Sequence, residues 1–160
     1  MAEEIADTEG VEEGDEFSPT GTIYLNTHEH VNHDLSGSVE KLEAGYAKVN
    51  LLTIDEMRAD KHDLVHGGFI FSAADFAAMV AVNERNVVLA ASECQFLSPV
   101  RVGDEVVIEA KVRHKEGRKR NVHVEAYVFD IKVFEGEFKT VVTENHVLKL
   151  SLLKEAKVEE

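Results

Sequence analysis

The sequence predicts a single α+β domain in which an antiparallel sheet of five to six strands wraps around one long central helix. One long segment, residues 67–83, is apolar on nearly every side, which is typical of a helix surrounded by protein. Segments of alternating polarity flank it, four of them after it. Because one helix of this length cannot cover such a sheet alone, pairing with a second copy of the chain is expected.

Composition sets the broad class of the protein. The chain has 160 residues, 44% of them hydrophobic, which suffices for one core without covalent staples. Cys94 is the single cysteine, so no intramolecular disulfide can form. The chain begins Met-Ala-Glu-Glu, unlike a signal peptide, and no apolar run approaches the ~18 residues that a membrane helix needs. We therefore expect a cytoplasmic protein with no membrane partner.

The formal charge of −14 is concentrated at the N-terminus. Residues 1–16 hold eight carboxylates and no Lys or Arg, and the rest of the chain carries −6. An anionic surface repels phosphate backbones, so nucleic acid is not an expected partner. Residues 1–20 are predicted to be a disordered acidic tail. A solubilising role is favoured for this tail, and binding of a protein partner is the alternative.

The elements follow in chain order. Residues 22–26 indicate a short strand or a lead-in, residues 27–38 a loop or one helical turn, and Val39 to Ile54 a strand with Gly45 at a bulge. A polar connection then ends at Val65. The helix is predicted from Gly67 to Asn83. The four later strands are predicted at Val87–Leu97, Asp104–His114, Asn121–Ile131 and Lys132–Thr143.

The turns between the later strands suggest how they pair. Turns at residues 101–104 and 115–118 predict that adjacent strands are hairpin partners. The domain is expected to span residues 21–144, and residues 145–160 to be a short C-terminal extension.

The start of the helix is the strongest candidate site. Gly67 and Gly68 present backbone N–H groups without intrahelical acceptors at the positive end of the helix dipole, and a carbonyl can approach them closely. Such donors stabilise an oxyanion. The alternative is that the glycines only permit a tight turn.

Asp75 is ionisable in an otherwise apolar helix, so it needs a donor, a water-filled pocket or a raised pKa. A structural carboxylate is the alternative. Gly67 and Asp75 are roughly 12 Å apart along one helix, too far to serve one carbonyl carbon. A catalytic arrangement therefore requires the two groups to come from two chains.

These residues resemble a known family. The segment His66 to Asp75, with an acidic residue seven positions after the second glycine, is similar to the signature of hotdog-fold acyl-CoA thioesterases, especially the phenylacetyl-CoA thioesterase-like branch. The segment Ala90 to Asp104, with its Phe-Leu-x-Pro-x-x-x-Gly-Asp pattern, fits the same family. The resemblance covers roughly residues 38–143.

The resemblance implies a hotdog homodimer, or a dimer of dimers, that binds an acyl-CoA and requires no cofactor. It implies Asp75 as general base or nucleophile and the Gly67 and Gly68 amides as oxyanion donors. His66 would bind the ligand or orient the turn, and helix-start packing is its alternative. Ser72 lines the pocket or bonds back to the helix.

The segment Val88 to Val142 is also similar to the effector domain of malonyl-CoA-sensing regulators of bacterial lipid synthesis, which bind acyl-CoA without hydrolysing it. The function predicted first is acyl-CoA thioesterase. The alternatives are a non-catalytic acyl-CoA-binding regulator and, less favoured, a scaffold with a relic pocket. The acidic residue at position 75 favours the enzyme.

Two further groups of residues complete the candidate list. Five of the seventeen Lys and Arg residues lie in one hairpin: Arg113, Lys115, Arg118, Lys119 and Arg120. The resemblance implies that they could bind the phosphates of coenzyme A, although a solvated turn is favoured. His28, His30 and His33 have metal-like spacing without a partner cluster, so a solvated loop and no metal are predicted.

Overall fold

The computed structural model describes residues 23–149. It contains a short helix, α1 (His33–Ser36), a long helix, α2 (Gly67–Val82), and six strands. The strands are β1 (Ser38–Glu43), β2 (Tyr46–Leu52), β3 (Val87–Phe96), β4 (Glu105–Glu116), β5 (Lys119–Val128) and β6 (Ile131–Val142). The predicted acidic tail, residues 1–20, and most of the C-terminal extension lie outside the described residues.

The strands form one antiparallel sheet in the order β1-β2-β4-β5-β6-β3, and α2 packs against one face of it. This confirms the predicted fold: an α+β hotdog with one long helix and six strands. Alternation along the strands sorts the residues by face, since side chains two apart share a face. Val106, Ile108 and Ala110 of β4, for example, are fully buried against the helix side.

The core lies between α2 and the central strands. Nine residues of α2 are buried, including Phe76 and Met79, and they meet buried side chains of β2, β4, β5 and β6. Phe134 and Phe138 of β6 are the largest fully buried side chains in the described part of the chain. The alanines of α2 keep the helix close to the sheet, as its apolar composition predicts.

The C-terminal end of α2 is fixed by Asn83, which adopts a left-handed conformation with φ 52°. Its backbone N–H donates to Met79 O at 2.8 Å, and its side-chain amide donates to Tyr24 O at 2.7 Å. Asn26 N–H in turn donates to Asn83 Oδ1 at 2.7 Å. Residues 23–27 are therefore a lead-in attached to the helix end, which was one of the two predicted alternatives.

Two details of the predicted topology are wrong. Residues 39–54 form a hairpin of two strands, with Gly45 in the turn at φ 73°, where a single strand with a bulge was expected. In addition, β3 and β4 are not hairpin partners, because β3 crosses the sheet and pairs with β6. The hairpin predicted at residues 115–118 is confirmed, since β4 pairs with β5.

This crossing leaves β3 at one edge of the sheet. Residues 90–93 are exposed along it, although the strand lies beside α2. Within residues 23–149, no helix is long and apolar enough to span a membrane.

Candidate active site at the start and middle of the long helix

His66 is the N-cap of α2. Its backbone is extended at φ −63° and ψ 128°, and its ring Nδ1 accepts the Gly68 N–H at 3.3 Å. The His66 carbonyl accepts the Phe69 N–H at 3.1 Å, and the His66 N–H donates to Met57 O at 2.9 Å. His66 therefore orients the turn at the helix start, one of the roles expected for it, and its side chain is exposed.

Aromatic rings lie close to both glycines. A Cβ atom on Gly67 would lie 3.2 Å from the Phe96 ring, and one on Gly68 would lie 3.2 Å from the His66 ring. Larger residues would therefore displace these rings. Both backbone amides were expected to be open, but Gly68 N–H already meets His66 Nδ1. Among the described residues, no acceptor meets the Gly67 N–H, so Gly67 presents the free donor.

An apolar cavity of about 310 Å³ adjoins Gly67. Most of its lining comes from two loops and the ends of β3 and β6, namely Leu64, Val65, Ile70, Phe96, Leu97, Ser98, Pro99, Val100 and Val133. The free amide thus borders a space that an apolar group can enter.

Asp75 lies near the middle of α2 with an unpartnered carboxylate. Its Oδ1 is buried and has no hydrogen-bond partner in the structure. Burial raises the pKa of Asp75 from 3.8 to about 6, because removal from water disfavours the charged form. A carboxylate with a pKa near neutrality can accept a proton and release it again.

Asp75 occupies the one incompletely buried side of α2. Beyond the first turn, the helix residues that are not buried are Phe71, Ser72, Asp75 and Val82. At 100° per residue they fall within an arc of about 100°. Asp75 thus lies on the side of α2 that the rest of the described chain covers least.

Ser72 has a structural partner. Its hydroxyl lies 2.8 Å from the Ser36 hydroxyl of α1, and the rings of His33 and Phe76 lie 6.1 Å apart at the next turn. Ser72 therefore attaches α1 to α2, a contact that helical periodicity alone did not indicate. The alternative of a back-bonded Ser72 has no support in the hydrogen bonds of the described residues.

The predicted basic hairpin lies at the other end of α2. A cavity of about 330 Å³ there is lined by Lys115 and Arg120, by residues 81–84 of the helix end, and by the carboxylates Glu43 and Glu84. Arg118 Nη2 lies 3.6 Å from Glu144 Oε2, while Arg113 and Lys119 are exposed. Two of the five cations therefore line a cavity, and they lie roughly 20 Å along the helix from Gly67.

Of the predicted metal-like histidines, His28 is half-buried rather than solvated. Its Nδ1 lies 2.7 Å from Thr27 Oγ1, and burial lowers the pKa of its ring. His30 and His33 are exposed.

Comparison with known proteins gives a consistent family. The thioesterase superfamily matches residues 62–135. Acyl-coenzyme A thioesterase PaaI of Escherichia coli is 31% identical over 125 residues, which cover 74% of this chain and 84% of PaaI. Transcription factor FapR of a Thermoanaerobacter species is 29% identical, covering 72% of this chain and 58% of FapR.

Methylthioribose-1-phosphate isomerase of Aquifex aeolicus is 53% identical over 117 residues, which are 73% of this chain but 26% of that protein. The chain thus spans about a quarter of the isomerase and less than two thirds of FapR.

Solved structures give the same fold. An uncharacterised protein of Pyrococcus horikoshii matches with a TM-score of 0.79 and 46% identity, covering 79% of this chain and 98% of that one. A sigma28-regulated virulence protein of Campylobacter jejuni matches with a TM-score of 0.76 and 36% identity, covering 78% and 89%.

The buried carboxylate predicts a pH-dependent penalty on stability. Because the folded pKa of Asp75 is raised, the penalty is absent at low pH and grows as pH rises from 3.8 through about 6. The free energy of unfolding of the wild type, minus that of the Asp75→Asn variant, should fall by about 2–3 kcal/mol when the pH is raised from 4 to 8. Urea denaturation at both pH values and one protein concentration measures this difference. Asp130→Asn, at an exposed turn, controls for general charge effects. A pH-independent difference would show that Asp75 is paired in the assembly.

Proposed function

Because the chain belongs to the hotdog thioesterase superfamily, we propose that it binds an acyl-CoA at a homodimer interface and hydrolyses the thioester. The observation that carries this proposal is the Asp75 carboxyl group, half-buried on the open side of α2 with an unpartnered oxygen. A purely structural carboxylate would be expected to have donors around it. The similarity to PaaI, named an acyl-coenzyme A thioesterase, supports the same reaction.

The proposed reaction requires a second chain, because Gly67 and Asp75 must both reach one thioester carbonyl. Gly67 and Asp75 lie roughly 12 Å apart along α2, so neither chain can place both groups at one carbonyl carbon. Two antiparallel α2 helices across an interface would bring Asp75 of one chain to Gly67 of the other. β3 contacts α2 and is an edge strand of the sheet, so it offers unpaired backbone groups for pairing with a second chain.

In this mechanism the Gly67 N–H of one chain binds the thioester carbonyl, and Asp75 of the other accepts a proton from a water molecule. The resulting hydroxide adds to the carbonyl carbon, and the Gly67 N–H stabilises the oxyanion. Collapse breaks the C–S bond and expels the CoA thiolate, which receives the proton from Asp75. The products are a carboxylic acid and free CoA, and no cofactor is consumed. His66 holds the Gly68 amide and so shapes the turn that presents Gly67.

The two cavities could divide the ligand between them. The apolar cavity beside Gly67 suits the acyl group. With antiparallel helices, Asp75 of one chain faces Gly67 of its partner, and the basic hairpin of the first chain lies roughly 10 Å further along the helix. Lys115 and Arg120 would then meet the phosphates while the pantetheine arm spans the interval.

A non-catalytic acyl-CoA-binding regulator is the second candidate, because a protein named transcription factor FapR matches nearly the same share of this chain, 72%, as PaaI does, 74%. Such a regulator would bind acyl-CoA in the same pocket of the same fold, but Asp75 would not promote its hydrolysis.

The two candidates differ in the effect of Asp75→Asn. For an enzyme, this variant should lower kcat by about 10²–10⁴-fold, because the general base is lost while the shape is kept. Release of the CoA thiol from a panel of acyl-CoAs measures turnover, and calorimetry with a non-hydrolysable thioether analogue measures binding. Binding should persist, and Asp130→Asn should behave as wild type. Tight binding without turnover by the unmutated protein would identify the regulator instead.

The shared site can be tested by mixing two inactive variants. A dimer of one Asp75→Asn chain and one Gly67→Val chain contains one site with both substitutions and one site with neither. Random assembly of co-expressed chains should therefore restore about a quarter of wild-type activity. Chains carrying different affinity tags allow the mixed dimer to be purified. If each site lay within one chain, the mixture would stay inactive.

The proposed contacts of Lys115 and Arg120 with the phosphates of coenzyme A predict a change in KM. Lys115→Ala should raise KM for acyl-CoA by about tenfold at low salt, with kcat little changed. The substitution removes a charge-assisted contact that would be equally strong with the bound substrate and with the transition state. Lys119→Ala is the matched control, since it removes a cation from the same hairpin that does not line the cavity. Equal effects of the two variants would contradict a specific role for Lys115.

A further inference from the structure

A second cluster of chemically active side chains lies on the outer face of the sheet. His123 of β5 faces away from α2, yet its relative exposure is only 8%. Strand pairing sets Glu137 opposite His123 and Glu135 opposite Glu125. Four side chains that are distant from the thioester site are thus brought together by the β5–β6 pairing.

The distances within the cluster suit a tetrahedral metal ion. His123 Nε2 lies 3.1 Å from Glu125 Oε1 and 3.2 Å from Glu135 Oε1. Ligands about 2.0–2.2 Å from a tetrahedral zinc ion are separated from one another by roughly 3.3–3.6 Å. Small adjustments of two carboxylates would therefore complete three corners of a zinc tetrahedron.

The surrounding groups orient these ligands. The other ring nitrogen of His123, Nδ1, lies 2.5 Å from Glu137 Oε1, which is the carboxylate–histidine arrangement that commonly supports a zinc-bound imidazole. The second oxygens of the two ligand carboxylates are held elsewhere. Tyr127 donates to Glu125 Oε2 at 2.6 Å, and Lys132 Nζ lies 3.0 Å from that oxygen and 3.5 Å from Glu135 Oε2. The Oε1 atoms are left to face His123.

Charge balance also favours a divalent cation. Glu125, Glu135 and Glu137 carry three negative charges, and Lys132 supplies one positive charge in contact with them. With a neutral imidazole the group has a net charge of −2. A divalent cation at the imidazole would offset this charge.

We propose that His123, Glu125 and Glu135 bind a zinc ion, with Glu137 orienting the imidazole and the fourth coordination position open to water or a further ligand. The sequence predicted no metal because His28, His30 and His33 lack a partner cluster, whereas the members of the His123 cluster meet only through the pairing of β5 with β6. The three groups meet within 4.8 Å of one another. The site lies across the sheet from α2 and does not depend on the thioesterase activity.

The test uses the untagged full chain, stripped with EDTA and titrated with zinc chloride. Equilibrium dialysis with elemental analysis should find one zinc per chain, and calorimetry should give its affinity. Glu135→Gln, on a half-exposed side chain that tolerates substitution, should weaken zinc binding at least tenfold. His123→Asn should abolish it. Cobalt bound in place of zinc should show the visible bands of tetrahedral coordination.

Two controls use other histidines of the chain. His114→Asn changes an exposed histidine, 3.5 Å from Glu116, and should leave zinc binding intact. A triple substitution of His28, His30 and His33 by Asn should also leave it intact. The proposal is overturned if the wild-type chain takes up no stoichiometric zinc, if Glu135→Gln binds as tightly as wild type, or if only the triple variant loses the metal.

Discussion

The burial of α2 on every side but one determines where this protein can carry out chemistry. A helix enclosed by a sheet has few positions at which an ionisable group can reach water or a ligand, and charged groups elsewhere along it would be prohibitively costly. Asp75 lies on that open side, half-buried, with one oxygen lacking a partner. The pKa of about 6 that burial imposes is a direct consequence of this position. The same enclosure leaves the first turn of the helix, with the free Gly67 amide, as the other accessible feature.

The sheet topology has a matching consequence. Because β3 crosses to the far side of β6, it becomes an edge strand of the sheet that also contacts α2. An edge with residues 90–93 exposed is normally paired or covered in a stable protein. Covering it with a second chain would also bring a second α2 against the first. In the proposed dimer, the second chain would therefore both cover the β3 edge and complete the site.

The predicted helix, residues 67–83, ends one residue beyond the observed Gly67–Val82, and Gly67 and Asp75 of the proposed site stand out in the sequence because an unbroken apolar segment and a lone acidic residue are local signals. It failed where the outcome depended on tertiary pairing. A glycine at position 45 is compatible with either a bulge or a turn, and only the pairing of β1 with β2 shows that it lies in a turn. The position of β3 could not be read from the short turn after it. The His123 cluster was missed for the same reason, since its members meet only after β5 pairs with β6.

Whether the fold acts as a hydrolase or as a sensor depends on the environment of one oxygen atom. A sensor gains nothing from a carboxylate that lacks donors, because the unpaired charge lowers the stability of every unliganded molecule. A hydrolase benefits from the same defect, since a base with raised pKa is poised to take a proton from water near neutral pH. Natural proteins retain such costs mainly where function requires them. On this ground the unpartnered Oδ1 of Asp75 favours hydrolysis over simple binding, even though the two functions would use the same fold, interface and ligand.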